Sequence, residues 1–407
     1  MMTASVSGVK REPILLTTST FPRWEGDELP PFVFELARSL SETFDVHVLT
    51  PHSPGSLTLE GMGGVTVHRY RYLPGRLEVF SGQAILPGLR RNPLLWLGLP
   101  FLLLGQLLSV LLLCRRLGIR RVHAHWSVPQ GLVAVLCRRV LGARIRVLIT
   151  AHGSDVLALR GRPMRALNRW IMDGADALTV VSRALADEVR RLGVREDLPV
   201  EVLPMGVDFS LFSPRSRNAS LRERYHVTGP LLLFVGRLTA SKGLQYLLQA
   251  MPAVLERHPG AGLVVVGGGD CGDALVDMAR SLGLLGRSVH FAGPVRKDEL
   301  PRWYAGADCL VMPSVSEGFG LVAAEAMACG TPVVAARIPA MADIIEHGRT
   351  GFLVEPADHE SLASAIIDAL GRKDDLSLMA RLAREALLDR LDWAVIGRGY
   401  AAILERL

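Results

Sequence analysis

Apolar positions along the chain fall into short β-type runs that alternate with stretches of helical period. In the first half the runs are Ile14–Thr18, Val46–Thr50, Val65–Tyr70, Arg121–His125, Ile145–Thr150, Ala177–Val181 and Val200–Leu203. Helical patterns such as Phe32–Glu42 and Leu132–Val140 lie between them. Around Met205–Arg224 the pattern gives way to a Ser-, Arg- and Pro-rich stretch that reads as a linker. It then restarts, with strands expected at Leu231–Val235, Leu263–Val266, Val289–Ala292, Cys309–Met312 and Pro332–Ala335. The intervening helices are expected at Leu244–Arg257, Asp273–Leu282, Lys297–Ala305 and Leu321–Ala328. This alternation predicts an α/β protein with parallel sheets. Two Rossmann-like doubly wound domains, 1–205 and 206–390, are expected to face a central cleft where strand carboxyl ends meet. Two helical patterns, Leu376–Arg390 and Trp393–Leu407, have no following strand, and residues 391–407 are expected to cross back to the first domain.

Composition narrows the class. With 407 residues, 49% hydrophobic and 21% charged, the chain is neither disordered nor a small disulfide scaffold. Five scattered cysteines without a C-x-x-C read as small core residues in a reducing compartment. The N-terminal stretch has no basic region ahead of a long apolar one, so no signal peptide and a cytoplasmic location are expected.

The net charge of +6 is unevenly spread: residues 1–205 carry 25 Lys and Arg against 17 Asp and Glu, and residues 206–407 carry 21 against 23. From Val79 to Ser154 there are ten arginines and no acidic residue. Such a field attracts polyanions, anionic lipid or an acidic acceptor. Inside it lies the uncharged run Asn92–Cys114, flanked by Arg90-Arg91 and Arg115-Arg116. It is long enough to span a bilayer, but Pro100 and Gly105-Gln106 interrupt it and strands of one domain lie on both sides. A buried helix is the plain alternative. The favoured expectation is a helix whose outer face dips into the lipid interface, with the basic and hydrophobic segment 90–121 meeting an anionic membrane surface.

The densest chemical signal runs from Pro313 to Pro332, after a strand and into a helix. The turn Glu317-Gly318-Phe319-Gly320 ahead of Leu321 leaves backbone N–H groups free at a helix N-terminus, an anion site suited to a diphosphate. Glu317 and Glu325 can accept hydroxyl hydrogen bonds from a polyhydroxylated ligand. Gly236-Arg237 and Lys242-Gly243 follow the first strand of the second domain, where the two cations can neutralise a leaving diphosphate. Gly267-Gly268-Gly269-Asp270 is by itself only a flexible turn. No G-x-x-x-x-G-K-[ST] occurs, which excludes a P-loop NTPase, and no D-x-D points to a metal-bound diphosphate, so no metal and no cofactor are expected. In the first domain His152-Gly153-Ser154-Asp155 ends a strand and places His152 over the expected cleft. At the junction His123–Gly131, His123 should face the core, whereas His125 and Trp126 line an acceptor pocket or simply pack. The loop carrying Glu25, Gly26 and Asp27 can close on donor or acceptor.

On the Glu317/Glu325 pair, the Gly236–Gly243 loop and His152–Asp155, the sequence resembles the family-4 retaining glycosyltransferases of the GT-B fold over essentially its whole length. The Phe21–Asp27 and His123–Gly131 segments look like the bacterial subset acting on envelope or exopolysaccharide intermediates. The resemblance implies a nucleotide-sugar donor and a glycan or lipid-linked acceptor, with no nucleic acid partner. It implies that Glu325 holds the ribose and that Arg237 and Lys242 hold the diphosphate. Glu317 and the amides of Gly318, Phe319, Gly320 and Leu321 would grip sugar and phosphate, and Gly236 admits the donor closely. His152 would contact the sugar near its C6 hydroxyl, with the base against Gly293–Lys297, including Val295 and Arg296. Asp155 joins Glu25, Gly26, Asp27, His125 and Trp126 on the acceptor side. Where the family often has P-N-G-V-D this chain has Pro204-Met205-Gly206-Val207-Asp208, which removes a side-chain amide. Gly267–Asp270 also departs from the family's G-D-G-P or G-x-G-P, which puts any role for Asp270 in doubt. No residue in these motifs is an obvious carboxylate nucleophile, so front-face departure is expected. The rival readings are a sugar-nucleotide 2-epimerase or a phosphorylase on the same architecture, or a catalytically idle membrane scaffold. No motif supplies the lysine a phosphorylase would need for its pyridoxal cofactor.

Overall fold

The computed structural model of the chain describes residues 11–27, 32–78, 80, 93–157, 161–216 and 220–407. Arg90, Arg91 and Asn92 of the expected basic and apolar segment lie outside the described residues. The chain divides into two compact units: Met1–Val181 with Leu185–Leu203 and Ile396–Leu407, and Ser182–Ala184 with Pro204–Val395.

The first unit is built on β1 (Pro13–Thr17), β2 (Asp45–Pro51), β3 (Leu59–Met62), β4 (Val65–Tyr70), β5 (Arg121–His125), β6 (Arg146–Ala151), β7 (Ala177–Val180) and β8 (Val200–Val202). They form one sheet in the order β3-β4-β2-β1-β5-β6-β7-β8. Every neighbouring pair is parallel except β3–β4. The second unit holds β9 (Leu231–Val235), β10 (Gly262–Val266), β11 (Val289–Gly293), β12 (Cys309–Met312), β13 (Val333–Ala336) and β14 (Phe352–Val354). Its sheet is parallel throughout, in the order β11-β10-β9-β12-β13-β14. Central strands buried on both faces explain the near-continuous apolar runs of the sequence. Leu232, Phe234, Leu263, Val265, Leu310 and Val311, for example, are all essentially inaccessible.

In each sheet the chain works outward one way and then reverses. The reversal lies between β1 and β5 in the first unit and between β9 and β12 in the second. At such a switch point the loops leaving adjacent strands diverge to opposite faces and open a crevice at the strands' carboxyl ends. The Gly236–Gly243 and Pro313–Gly320 loops flank the switch point of the second sheet. Those carrying Phe21–Asp27 and Trp126–Gly131 flank that of the first.

Three features differ from expectation. The stretch expected to be a linker is pinned to the second unit: Met205, Val207, Phe209 and Phe212 are buried. The Val207 amide donates to Leu391 O at 2.7 Å, and Arg384 donates to Phe212 O at 3.1 Å. The Ser-, Arg- and Pro-rich residues 213–224 concealed the four apolar anchors that precede them. The strand β3 has no apolar run because it is an exposed antiparallel edge, and β14 is only three residues long. The helix expected from Lys297 starts at Leu300, because Pro301 suits the first helical turn.

The helix Leu99–Leu117 follows a short turn, Pro93–Leu97. It is neither wholly buried nor free of the domain. Leu102, Gln106, Val110 and Cys114 face inward, and Leu104, Leu108 and Leu112 face out. The final helix, Trp393–Arg406, contributes Tyr400 to the first unit, where its hydroxyl donates to Leu203 O at 3.1 Å and its ring stacks on His123 at 5.3 Å.

Candidate active site

The second unit brings two strand-end loops into direct contact. The Val315 amide donates to Ser241 O at 2.9 Å, bridging the loop after β12 to the loop after β9. Gly243 makes the approach possible. Its φ is +73°, and a Cβ there would lie 2.0 Å from Pro313 O, a backbone atom that cannot swing aside. Gly243→Ala should therefore destabilise the second unit by about 2–4 kcal/mol. Thermal unfolding would show this as a lowered midpoint, and an unchanged midpoint would contradict the packing described.

Across this contact Lys242 Nζ donates to Glu317 Oε1, and Ser314 Oγ donates to the same oxygen at 2.9 Å. Ser314 is buried, and the Lys242 and Glu317 side chains are largely so. Arg237, by contrast, is exposed, and its guanidinium meets no hydrogen-bond or ion-pair partner among the described residues. One cation is thus held in place while the other is open to solvent. The Gly320 φ of +98° turns the chain into the helix Leu321–Ala328. The amides of Gly318, Phe319, Gly320 and Leu321 have no acceptor among the described residues. Phe319 packs inward, so it can offer a ligand only its backbone. An anion placed here would meet unpaired N–H groups at a helix N-terminus with a cation beside them.

Glu325, on that helix, accepts from the hydroxyl of fully buried Tyr304 at 2.9 Å. Burial pushes its carboxyl up to about 7, and the positive charge of Lys297 and the Tyr304 hydrogen bond only partly oppose the rise. Tyr304 and Ser314 are not singled out as site residues by the sequence, and Lys297, which ends the segment expected to meet the base, acts here on Glu325. Ser314 lies inside the Pro313–Pro332 segment and its hydroxyl is the available signal, but no spacing links Tyr304 to Glu325. The Gly236 amide is committed to Val266 O at 3.0 Å, so this residue supplies room and no donor. Val295 is half-buried, and exposed Arg296 holds Asp298 at 3.0 and 3.2 Å, which lowers the Asp298 carboxyl.

In the first unit His152 leaves the end of β6 and is half-buried among aromatic rings: Trp126 at 4.5 Å, Phe32 at 5.2 Å and His125 at 5.3 Å. His152 Nε2 and His125 Nδ1 are 3.0 Å apart. Burial pushes His152 down to about 3 and His125 well below its usual range, so both rings are neutral near pH 7. Only one can donate, and the buried His125 Nε2 has no partner. An orphaned N–H there would cost more than an orphaned lone pair, so His125 donates and His152 keeps its proton on Nδ1 as a donor. Trp126 is held at φ +72°, an unusual conformation for a bulky residue.

His125 and Asp155, expected to line an acceptor pocket, lie behind the surface. His125 is completely enclosed, and Asp155 accepts from the amides of Ser127, His152 and Gly153 at 2.9, 3.1 and 3.0 Å. Asp155 therefore ties the Trp126–Gly131 loop to the His152 turn. His123 faces the core as expected and bonds Thr150 Oγ1 at 2.7 Å. Asp27 is likewise engaged, bound by Arg23 at 2.6 and 2.9 Å, whereas Glu25 and Gly26 are exposed.

A model of the family described as Glycosyltransferase Family 4 matches residues 31–211, and one described as Glycosyl transferases group 1 matches residues 229–372. Glycogen synthase of Mycobacterium tuberculosis is 33% identical over 291 residues, covering 69% of this chain and 67% of that protein. A GDP-mannose-dependent alpha-(1-6)-phosphatidylinositol monomannoside mannosyltransferase of Mycolicibacterium smegmatis is 32% identical over 302 residues, 71% of this chain and 78% of its own. Among solved structures, sucrose-phosphate synthase from Thermosynechococcus elongatus matches with a TM-score of 0.80 over 97% of this chain and 99% of its own, a likeness of fold at 24% identity. With two α/β units, each built on a largely parallel sheet, and with relatives of this similarity, the chain belongs to the family-4 glycosyltransferases of the GT-B fold, enzymes that transfer sugar from a nucleotide sugar.

Proposed function

We propose that this enzyme is a retaining hexosyltransferase that moves a sugar from a UDP- or GDP-sugar to a hydroxyl of a glycan or lipid-linked acceptor, without a metal. The observation that carries the reading is the cationic pair on the loop after β9, one member oriented by Glu317 ahead of unpaired helix amides and the other exposed. This arrangement suits a diphosphate whose negative charge grows as the glycosidic bond breaks. Glu325 takes the ribose hydroxyls, Glu317 the sugar, and the segment Gly293–Lys297, with Val295 and Arg296, the base. His152, donating from Nδ1, holds a sugar hydroxyl. Glu25, Gly26 and Trp126 stay on the acceptor side.

The reaction proceeds on the leaving-group face. The bond from the anomeric carbon to the phosphate oxygen breaks, and its electron pair leaves with the diphosphate. The acceptor hydroxyl attacks the oxocarbenium-like centre from that same side and gives its proton to the departing phosphate. Arg237, Lys242 and the helix amides supply the main electrostatic stabilisation. One relative is named for a phosphatidylinositol monomannoside acceptor and another for making glycogen, so lipid-borne and glycan acceptors both lie within the family's range.

The test is a panel of UDP- and GDP-sugars incubated with membrane extract. Release of UDP or GDP should depend on an added acceptor, persist in EDTA, and give a product with the donor's anomeric configuration. Conversion of the nucleotide sugar to its C2 epimer without acceptor would replace the reading with an epimerase. Nucleotide binding without turnover on any donor would replace it with a scaffold.

A further inference from the structure

The helix Leu99–Leu117 is committed on one side only. Leu102, Gln106, Val110 and Cys114 recur every fourth residue and are buried, which ties this face to the first unit. The opposite side presents Leu97, Phe101, Leu104, Leu108 and Leu112, exposed by 72, 54, 53, 57 and 47%. Steps of four, three, four and four residues keep them on one stripe, which runs about 16 Å from Phe101 to Leu112 at the helical rise. Single exposed leucines are ordinary on soluble proteins, but an unbroken line of them marks a surface that something apolar covers.

The charge beside the stripe names the partner. Arg115 and Arg116 end the helix and Arg120 follows it. Arg139 lies in the last turn of the helix Leu132–Leu141, which packs against it, and Arg144 ends the short turn that follows. All five are exposed, and Arg115, Arg116, Arg120 and Arg144 have no ion-pair partner among the described residues. No acidic residue occurs anywhere from Val79 to Ser154 to screen them. A second copy seated here would set one acid-free basic segment against another, whereas an anionic bilayer offers both an apolar layer and phosphates.

We infer that this face docks on the surface of a bilayer bearing anionic headgroups, with the stripe sunk into the interfacial layer and the arginines on phosphates. The helix lies along the membrane and does not cross it, because its inner face is part of the folded core. The peripheral attachment stands independently of the acceptor assigned above, and it is measured with no sugar nucleotide present.

Full-length protein is mixed with vesicles of phosphatidylcholine alone, or of phosphatidylcholine with phosphatidylglycerol, and sedimented at low and high salt. Binding is expected only to the anionic vesicles, weakened by salt, with a blue shift of tryptophan emission to which Trp96, exposed in the turn ahead of the helix, contributes. Leu104→Glu with Leu108→Glu, and separately Arg115→Glu with Arg116→Glu, should each reduce binding by about tenfold or more. Both variants should keep the wild-type circular dichroism and affinity for UDP or GDP, which shows that the fold survives. Equal binding to neutral vesicles, or no binding to either, would overturn the proposal. So would a solution dimer abolished by Leu104→Glu with Leu108→Glu, or resistance of membrane-bound protein to alkaline extraction, which would mean a span.

Discussion

Replacing Lys242 with alanine should lower kcat by about 10²–10³-fold, the range expected when one preorganised group stabilising a developing anion is removed. In the resting site Lys242 is already held by Glu317, and Ser314 steadies the same carboxylate oxygen. The ammonium therefore needs little reorganisation when charge moves onto the leaving diphosphate. Its loss does more than delete a cation. It leaves the Glu317 carboxylate, mostly buried, with Ser314 as its one remaining hydrogen-bond donor among the described residues. Arg237→Ala removes a solvated guanidinium with no described partner, so it should raise donor KM as well as lower kcat. Because Lys242 and Glu317 act as a unit, the double alanine variant should lose much less than the two single losses combined. Steady-state kinetics on the donor identified by the panel will show this. A kcat unchanged in Lys242→Ala would remove the residue from the site.

Glu325→Gln should move stability and activity in opposite directions. In the folded protein burial raises the Glu325 carboxyl from its ordinary 4.5 to about 7. Between those values the unfolded chain has already released a proton that the folded chain still holds. Folding stability therefore falls as pH rises through that window and stays reduced above it. Glutamine keeps an acceptor for the Tyr304 hydroxyl and carries no charge to desolvate. Above pH 7 the variant should be more stable than the parent by about 1–2 kcal/mol, and near pH 4 the two should unfold together. Donor binding goes the other way. The variant exchanges a carboxylate for an amide where the ribose is proposed to bind and should raise donor KM by about 10–100-fold, the worth of a charged hydrogen bond. In the parent, donor binding should weaken below pH 7 as the carboxyl takes up its proton. Melts across pH with donor KM at each value check both arms. A Tm difference independent of pH would rule out the burial account, and an unaltered donor KM would take Glu325 out of the nucleotide site.

Much of the scaffold was readable from local pattern. The strands Val65–Tyr70, Arg121–His125, Leu231–Val235 and Cys309–Met312 fall at the expected residues, as do the helices Leu244–Arg257 and Leu321–Ala328. Each is a largely buried strand, parallel to every neighbour except where β4 meets the edge strand β3, or a helix whose apolar face meets such a strand, so periodicity carries its boundaries. The loops after the strands were legible for the same reason, since glycine, lysine and glutamate clusters stand out against apolar runs. Segments whose environment contradicts their composition were not. Residues 205–224 read as a polar connector, but their first eight residues anchor four apolar side chains, and β3 is an edge with no run to show.

By itself, then, the sequence determined the α/β class, the places where strands end, and which residue types wait there. Tertiary structure decided which of those side chains meet. Strand order sets β9 beside β12, and this joins Lys242 to Glu317 across 75 residues and lets the chain turn from Tyr304 back to Glu325. It likewise sets β5 beside β6, so that His125 fixes the proton on His152. Folding also decided which side of the helix Leu99–Leu117 became core and which stayed open. The physical reason is range. Periodicity and turn chemistry act over a few residues, whereas pairing, burial and the protonation states they impose depend on neighbours that only the folded sheets bring together.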